Sequence, residues 1–182
     1  QGHAPVPIHH QGGVAVADKI RAIVDAGMVV FGHIGLTPQS SASMGGFKAQ
    51  GRTTGSARAI IEDAIAVYKA GARVLLLEGV PEEVCAYIHR MLPIPVYGIG
   101  AGADCDGQVL LAADALGMYK SFTPKFAKKY ADIAGLATQG MSDYIREVKG
   151  GEFPAPEHKY KISGDAADFE KLFDEMAPLF GD

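Results

Sequence analysis

A parallel α/β fold, in which strands and helices alternate toward a (β/α) barrel, is what this sequence predicts. Three observations carry the prediction. Short runs of branched apolar residues, Val74-Leu75-Leu76-Leu77 foremost, read as strands buried on both faces. Helical patterns separate these runs and no hairpin turn signals intervene, so successive strands run parallel through right-handed crossovers. Residues with chemistry to offer, namely His33, Glu78 and the glycine cluster 98–102, each fall just after such a run. Convergence on strand C-termini suits a barrel better than an open sheet.

Taken in order, residues 1–13 differ in texture from the remainder of the chain, with three of the six histidines and two prolines in the first ten positions. They read as a linker, a tag or a remnant strand. Val16, Ile20, Ile23 and Val24 share a face, which predicts a helix over 14–26 closed by Gly27. A strand over 28–32 runs into His33. The polar, Gly-rich stretch 37–55 is too long for an ordinary strand-to-helix loop, and such loops are functional or disordered. A helix over 56–70 ends at Gly71, and the strand 73–77 comes next. Pro81 opens another helix, with Glu82 and Glu83 in its first turn where the macrodipole favours anions. Residues 95–100 predict a third strand, 107–115 a short helix, 116–119 a weak strand and 124–148 one or two helices. After a polar linker (156–163), Phe169, Leu172, Phe173, Met176 and Phe180 mark an amphipathic helix. The expected organisation is therefore a barrel portion over 14–162 and a C-terminal helix over 163–182. Three clear strands and two weak ones fall short of the eight strands, in ~250 residues, of a full barrel. The prediction is the C-terminal half of one.

At 182 residues the chain can bury one sizeable core. Its net charge is −4, and its Lys and Arg are scattered, which leaves no electrostatic footprint for nucleic acid or an anionic membrane. No apolar run approaches the ~20 residues of a membrane span, and no signal peptide is expected. Cys85 and Cys105 form no CxxC pair, so reduced thiols in the cytoplasm are expected.

Glu78 is the leading candidate for catalysis. A polar residue at the C-terminal end of a buried strand points into the mouth of a barrel, and a carboxylate there is placed to act as a general base. The alternative is a Glu satisfied by backbone N–H groups at the next helix start. His33 can bond a substrate carboxylate or carbonyl, or serve structurally. Gly98-Ile99-Gly100-Ala101-Gly102-Ala103 matches a loose GxGxxA, but Asp104-Cys105-Asp106-Gly107 puts helix start and glycines out of phase for dinucleotide binding. These glycines instead let backbone approach a ligand or ease packing. His9 and His10 point opposite ways on an extended chain and make a weak metal signal. Asp104 and Asp106 read as caps for the helix expected from Gly107. Lys125, Lys128 and Lys129 read as a solvated helix face.

FGHIGLTPQS (31–40), GGFKAQGR (45–52), LLLEGVP (75–81), PVYGIGAGADCDGQVL (95–110) and PKFAKKY (124–130) together resemble the ketopantoate hydroxymethyltransferase (3-methyl-2-oxobutanoate hydroxymethyltransferase) family, from about Gly12 to about His158. The resemblance implies a (β/α)8 barrel of the phosphoenolpyruvate-binding type, usually a decamer, working in pantothenate synthesis. It implies that a base removes the C3 proton of 2-oxoisovalerate, that Mg²⁺ stabilises the enolate and that 5,10-methylenetetrahydrofolate delivers the one-carbon unit. Glu78 aligns with the base and His33 with a substrate-pocket histidine. The family's two metal-binding aspartates have no counterpart here. Its Lys-x-Glu-Gly-Gly strand end corresponds to His9-His10-Gln11-Gly12-Gly13, placing His9 at the substrate lysine and Gln11 at a metal-side glutamate. A neutral amide is a poor substitute for a carboxylate at Mg²⁺. Three functional readings result: a hydroxymethyltransferase whose metal half is missing, so that the isolated chain is inactive; a C–C lyase of the same barrel superfamily acting on a 2-oxo acid, which GGFKAQGR argues against; and a non-catalytic assembly remnant.

Overall fold

The computed structural model describes residues 7–37 and 48–180. Part of the long loop, including residues 38–40 and 45–47 of two family-like motifs, lies outside them. The chain divides after Ile133 into two compact units. The first is built on five parallel strands: β1 (Ile8–Gln11), β2 (Val30–Gly35), β3 (Val74–Glu78), β4 (Val96–Ile99) and β5 (Gly107–Gln108). Its helices are α1 (Ala17–Asp25), α2 (Thr54–Lys69), α3 (Glu82–Met91) and α4 (Ala112–Ala115).

Strand order in space is strand order in sequence, β1-β2-β3-β4-β5. With every crossover of one hand, sequential order places all helices on one side of the sheet, whereas a doubly wound sheet reverses direction and covers both. Residues aligned across parallel strands face the same way. Val30, Ile34, Leu75, Leu77 and Val96 accordingly share a face and form one buried cluster with Ile20 of α1, Ile60 and Val67 of α2 and Ile88 of α3. Each such side chain contributes roughly 1.5–3 kcal/mol by leaving water. The opposite face presents His9 and Gln11 of β1, Phe31 and His33 of β2, Leu76 and Glu78 of β3, and Tyr97 and Ile99 of β4. An apolar cavity of about 310 Å³ lies on it, lined by His9, Phe31, Leu76, Tyr97 and Val109. These are five consecutive staves of a (β/α)8 barrel, with the helices outside and this second face inside.

The capping of α2 is local chemistry. Thr53 accepts from the Ser56 N–H, and the Ser56 hydroxyl accepts from the Thr53 N–H. Cys85 in α3 is fully buried, and burial, helped by neighbouring Cys105, pushes its thiol up to about 12.

Four expectations fail. Residues 107–115 are not one helix: Gly107–Gln108 is a strand, and only Ala112–Ala115 is helical. A Cβ at Gly107 would lie 2.7 Å from the Tyr97 ring, so glycine lets β5 close against β4. Residues 116–119 are a turn, not a strand. Residues 124–132 are a loop ahead of α5 (Ile133–Gly150), because the Tyr130 and Ile133 N–H groups bond Ala115 and Leu116 carbonyls instead of continuing a helical ladder. Asp106 caps no helix. Its carboxylate accepts from the Val96 N–H at 2.7 Å and lies 3.3 Å from His89 Nε2, tying the start of β4 to α3.

The second unit contains the rest of α5, a 3-10 turn at Pro156–His158, and α6 (Ala166–Met176) continued by a 3-10 turn at Ala177–Phe180. The Asp165 side chain caps α6 at the Ala167 N–H. Among the described residues no helix is long and apolar enough to cross a membrane.

The Val96 N–H, then His89, hold the Asp106 carboxyl below its ordinary range. A carboxyl depressed by folding stabilises the fold above its unfolded pKa and loses that contribution as pH falls. Asp106→Ala should therefore lower the melting temperature at neutral pH, with the gap to wild type closing in acid. Thermal unfolding across pH checks this, and a pH-independent gap would assign the loss to packing instead.

Candidate active site

β3 carries Glu78 to the rim of the sheet on the inward face. There the chain turns at Gly79, whose φ of 59° lies in the left-handed region that glycine enters without strain. The Leu36 N–H holds the Glu78 carbonyl at 2.7 Å, so the backbone under the carboxylate is fixed by the end of β2. Glu78 is only 8% exposed. Its Oε2 lies 3.1 Å from His33 Nε2, and His33 is 3% exposed. The carboxylate thus meets an imidazole, not the first N–H groups of α3. The distance is that of an ion pair, but the angle is not that of a hydrogen bond, which leaves His33 Nε2 without a hydrogen-bond partner.

The other nitrogen of His33 faces His9. Nε2 of His9 and Nδ1 of His33 are 3.1 Å apart, and the rings stack with centroids at 5.0 Å. The register predicts this meeting. Gln11 is opposite His33, and His9, two residues earlier, points to the same side. Burial first, then His33 and His10, push the His9 imidazole below its ordinary pKa, while Glu78 pushes it up. Three ionisable groups from three adjacent strands therefore form one line, His9–His33–Glu78, running from a partly exposed ring to a buried carboxylate.

Glu78 opens into a cavity of about 850 Å³ at the C-terminal end of the strands, with Glu82, Asp114, Tyr119, Lys125 and Phe126 among its lining. Pockets of roughly 300–1,000 Å³ hold small organic ligands. The glycines of 98–102 serve this wall. At Gly100 φ is 64°, and a Cβ there would come within 2.5 Å of the Phe126 ring. At Gly102 a Cβ would meet the Glu82 side chain at 2.4 Å. They permit close packing beside the cavity.

Lys125 departs from its expected place on a solvated helix face. It lines the cavity from a loop. Lys128 lies over the Tyr130 ring, 5.1 Å from its centroid. Asp114 and Tyr119 are cavity residues that no sequence pattern singled out. The available signal was a lone carboxylate inside the apolar run Leu110–Leu116. Asp104 contributes only its carbonyl, 3.8 Å from the Cys85 thiol.

The Mg²⁺ implied by the resemblance can be tested against the donors present. Gln11 Oε1 is buried and unpartnered, as is His10 Nδ1 on the opposite face. Gln11 offers one neutral oxygen, and Glu78 is engaged by His33. Among the described residues no group of three His, Cys, Asp or Glu side chains could hold a metal. Mg²⁺ wants several hard, preferably anionic oxygens. The described donors do not fit it.

The strands and their rim define a barrel protein of the α/β class with a histidine-paired carboxylate at the mouth of one strand. The chain belongs to the ketopantoate hydroxymethyltransferase family, whose model matches residues 6–156. It is 54% identical over 166 residues to a 3-methyl-2-oxobutanoate hydroxymethyltransferase of Alkaliphilus metalliredigens, covering 91% of this chain and 58% of the relative. Similar proteins of the same name come from Enterococcus faecalis, at 50% identity over 95% of this chain and 62% of the relative, and from Clostridium beijerinckii, at 47% over 90% and 58%. The chain thus spans about three-fifths of these relatives' length. A crystal structure of phosphonopyruvate hydrolase aligns with 96% of this chain and 70% of that chain at 11% identity, with a TM-score of 0.31, too slight to carry an argument.

The line of three groups gives a signed expectation. In a histidine NMR titration, His9 should titrate below the ordinary imidazole range. Glu78→Gln should move it lower still, because the carboxylate that favours its charged form is gone, and His33→Ala should move it up. A His9 midpoint unmoved by Glu78→Gln would break the line.

Proposed function

We propose that this chain supplies the base and substrate pocket for transfer of a hydroxymethyl group from 5,10-methylenetetrahydrofolate to 2-oxoisovalerate, giving ketopantoate. The observation that carries the proposal is Glu78, nearly buried at a strand end, held against His33 and open to the ≈850 Å³ cavity. In this reading the Glu78 carboxylate takes the C3 proton, and the electron pair of the breaking C–H bond moves into an enolate on the substrate. C3 then bonds to the one-carbon unit, both C–N bonds holding that unit to the folate break, water supplies the hydroxyl oxygen, and tetrahydrofolate leaves with the C3 proton and one proton of water on its two freed nitrogens. A base so positioned is worth roughly 10²–10⁴-fold in rate. His33 orients the carboxylate from beneath: it is 3% exposed, its Nε2 faces Glu78 Oε2 at 3.1 Å, and it is not among the residues lining the cavity, so the substrate contact expected of it becomes a positioning role. No step is routed through Mg²⁺, since the described donors do not make a site for it. Such chemistry belongs in the cytoplasm, where the two unpaired thiols stay reduced.

The test is deuterium incorporation at C3 of 2-oxoisovalerate, followed by proton NMR. The 182-residue chain alone is expected not to turn over. Joined to upstream residues of the Alkaliphilus relative so as to reach that protein's length, it should exchange. Glu78→Gln should then lower exchange at least about 100-fold while 2-oxoisovalerate still binds. Exchange at the unmutated rate takes Glu78 out of the base role.

The same reading includes a homo-oligomer. On α5, Met141, Tyr144, Ile145 and Val148 make an exposed stripe at helical spacing, the pattern of a helix that packs against something. Light scattering after size exclusion should give a multiple of 19.1 kDa. A monomer at micromolar concentration removes this part.

A further inference from the structure

Two imidazoles stand behind Glu78, and a ring with two nitrogens can do more than hold a carboxylate in place. His33 Nε2 lies 3.1 Å from Glu78 Oε2, and His33 Nδ1 lies 3.1 Å from His9 Nε2. Polar atoms therefore follow one path: a nearly buried carboxylate, both nitrogens of a buried ring, then both nitrogens of an exposed one. Glu78 borders the cavity of about 850 Å³, whereas His9 borders the cavity of about 310 Å³ on the inward face. His33 lines neither and stands between the two groups.

The carboxylate fixes where the protons on this path sit. An ionised carboxylate only accepts, so the His33 nitrogen that faces it must carry the hydrogen. A neutral imidazole with its proton on Nε2 accepts at Nδ1, so His9 must donate there from its own Nε2. That leaves His9 with Nδ1 as its acceptor, on an exposed ring. Burial, then His33 and His10, hold the His9 imidazole below its ordinary pKa against the pull of Glu78. Neutral in this way, the ring is able both to take a proton and to give one. The contact of His33 with Glu78 has the distance of a hydrogen bond without its angle. The terminal torsion of a glutamate is soft, and a turn of the carboxylate aligns the two.

We propose that His33 and His9 form a relay through which Glu78 exchanges its proton with water. The inference rests on the reading of Glu78 as the base. Neither ring touches the substrate, and both act through Glu78 as positioning residues. A proton taken from water by His9 Nδ1 releases the one on His9 Nε2 to His33 Nδ1, and His33 passes the one on its Nε2 to Glu78 Oε2. One N–H bond forms and one breaks on each ring, and an O–H bond forms on Glu78. Both rings finish in the opposite tautomer, and the reverse passage discharges the acid. Exchange at C3 needs such a path, because the proton taken from carbon must leave the base and another must replace it while substrate fills the cavity. In the complete reaction the folate takes that proton, so it is the folate-free step that depends on the relay.

Nitrogen-15 NMR of the imidazoles in the 182-residue chain tests the arrangement without turnover. Near neutral pH, His33 and His9 should both carry their proton on Nε2. Either ring protonated on Nδ1 instead would overturn the relay. C3 exchange in the chain lengthened with upstream residues of the Alkaliphilus relative tests the passage itself. His9→Ala should lower exchange about 10- to 100-fold, a smaller loss than the roughly 10²–10⁴-fold worth of the base. Affinity for 2-oxoisovalerate should stay unchanged, because His9 lines the other cavity. Imidazole added to the buffer should restore the rate, since it offers the missing ring from solution. His9→Phe keeps a ring to stack on His33 but has no nitrogen, and should lose as much as His9→Ala. Exchange at the unmutated rate in either variant, or a loss in His9→Ala that imidazole leaves untouched, would reduce His9 to packing and overturn the relay. A failed relay leaves the loss in Glu78→Gln standing, whereas a failed base shows as Glu78→Gln exchanging at the full rate, so the two failures are distinguishable.

Discussion

The pairing of β2 with β3 is the constraint on which the site depends. Its parallel register sets Gly35 against Glu78 and His33 against Leu76. Because side chains alternate, His33 and Glu78 then lie on the same inward face, one two-residue step apart. A shift of one residue would turn Glu78 toward the helices and bury an ionised group among Ile60, Val67 and Ile88. The same shift would bring Leu77 to the rim, so the apolar core and the reactive rim enforce each other. The register is held from both sides, since Leu75 and Leu77 are fully buried against the helices.

Sequential strand order adds the second condition. With the helices gathered on one side, the other face of the sheet is free to hold polar groups without solvating the core. The His9–His33–Glu78 line exists because three neighbouring strands each place one side chain on that face at successive heights. Its outer ring is exposed, while its inner carboxylate is nearly buried and borders the cavity. Burial and the neighbouring charges thus act together on the His9 imidazole at the outer end of the line.

Much of this was legible in the sequence. Glu78 and His33 were visible because each ends an apolar run, and the strand-end rule needs no knowledge of what lies across the sheet. The helices α2 and α3 were visible because Gly71, Pro81 and the acidic first turn punctuate them. What escaped was decided at a distance. Gly107 reads as the start of a helix until the Tyr97 ring is in place, and residues 124–132 read as helical until the Ala115 and Leu116 carbonyls claim their N–H groups. Lys125 and Asp114 became cavity residues through that same loop. The meeting of His9 with His33 required the pairing of β1 with β2, which a four-residue strand running into glycines barely signals. The substrate chemistry came from the family resemblance as an expectation and stands as a proposal, and it is that resemblance which marks His9 and Gln11 as departures from the family pattern.

The buried thiol of Cys85 has a practical consequence. Held protonated to about pH 12 and shut away inside the helical layer, it is a poor nucleophile near neutrality. Cys105 is partly accessible, with its sulfur accepting from Gln108 Nε2 beside the Gly102 carbonyl. A thiol-directed fluorophore added at pH 7 will therefore attach at one position, within a few residues of the cavity wall. The chain has no tryptophan. A single dye there would give it the optical reporter of ligand entry that its own residues do not provide.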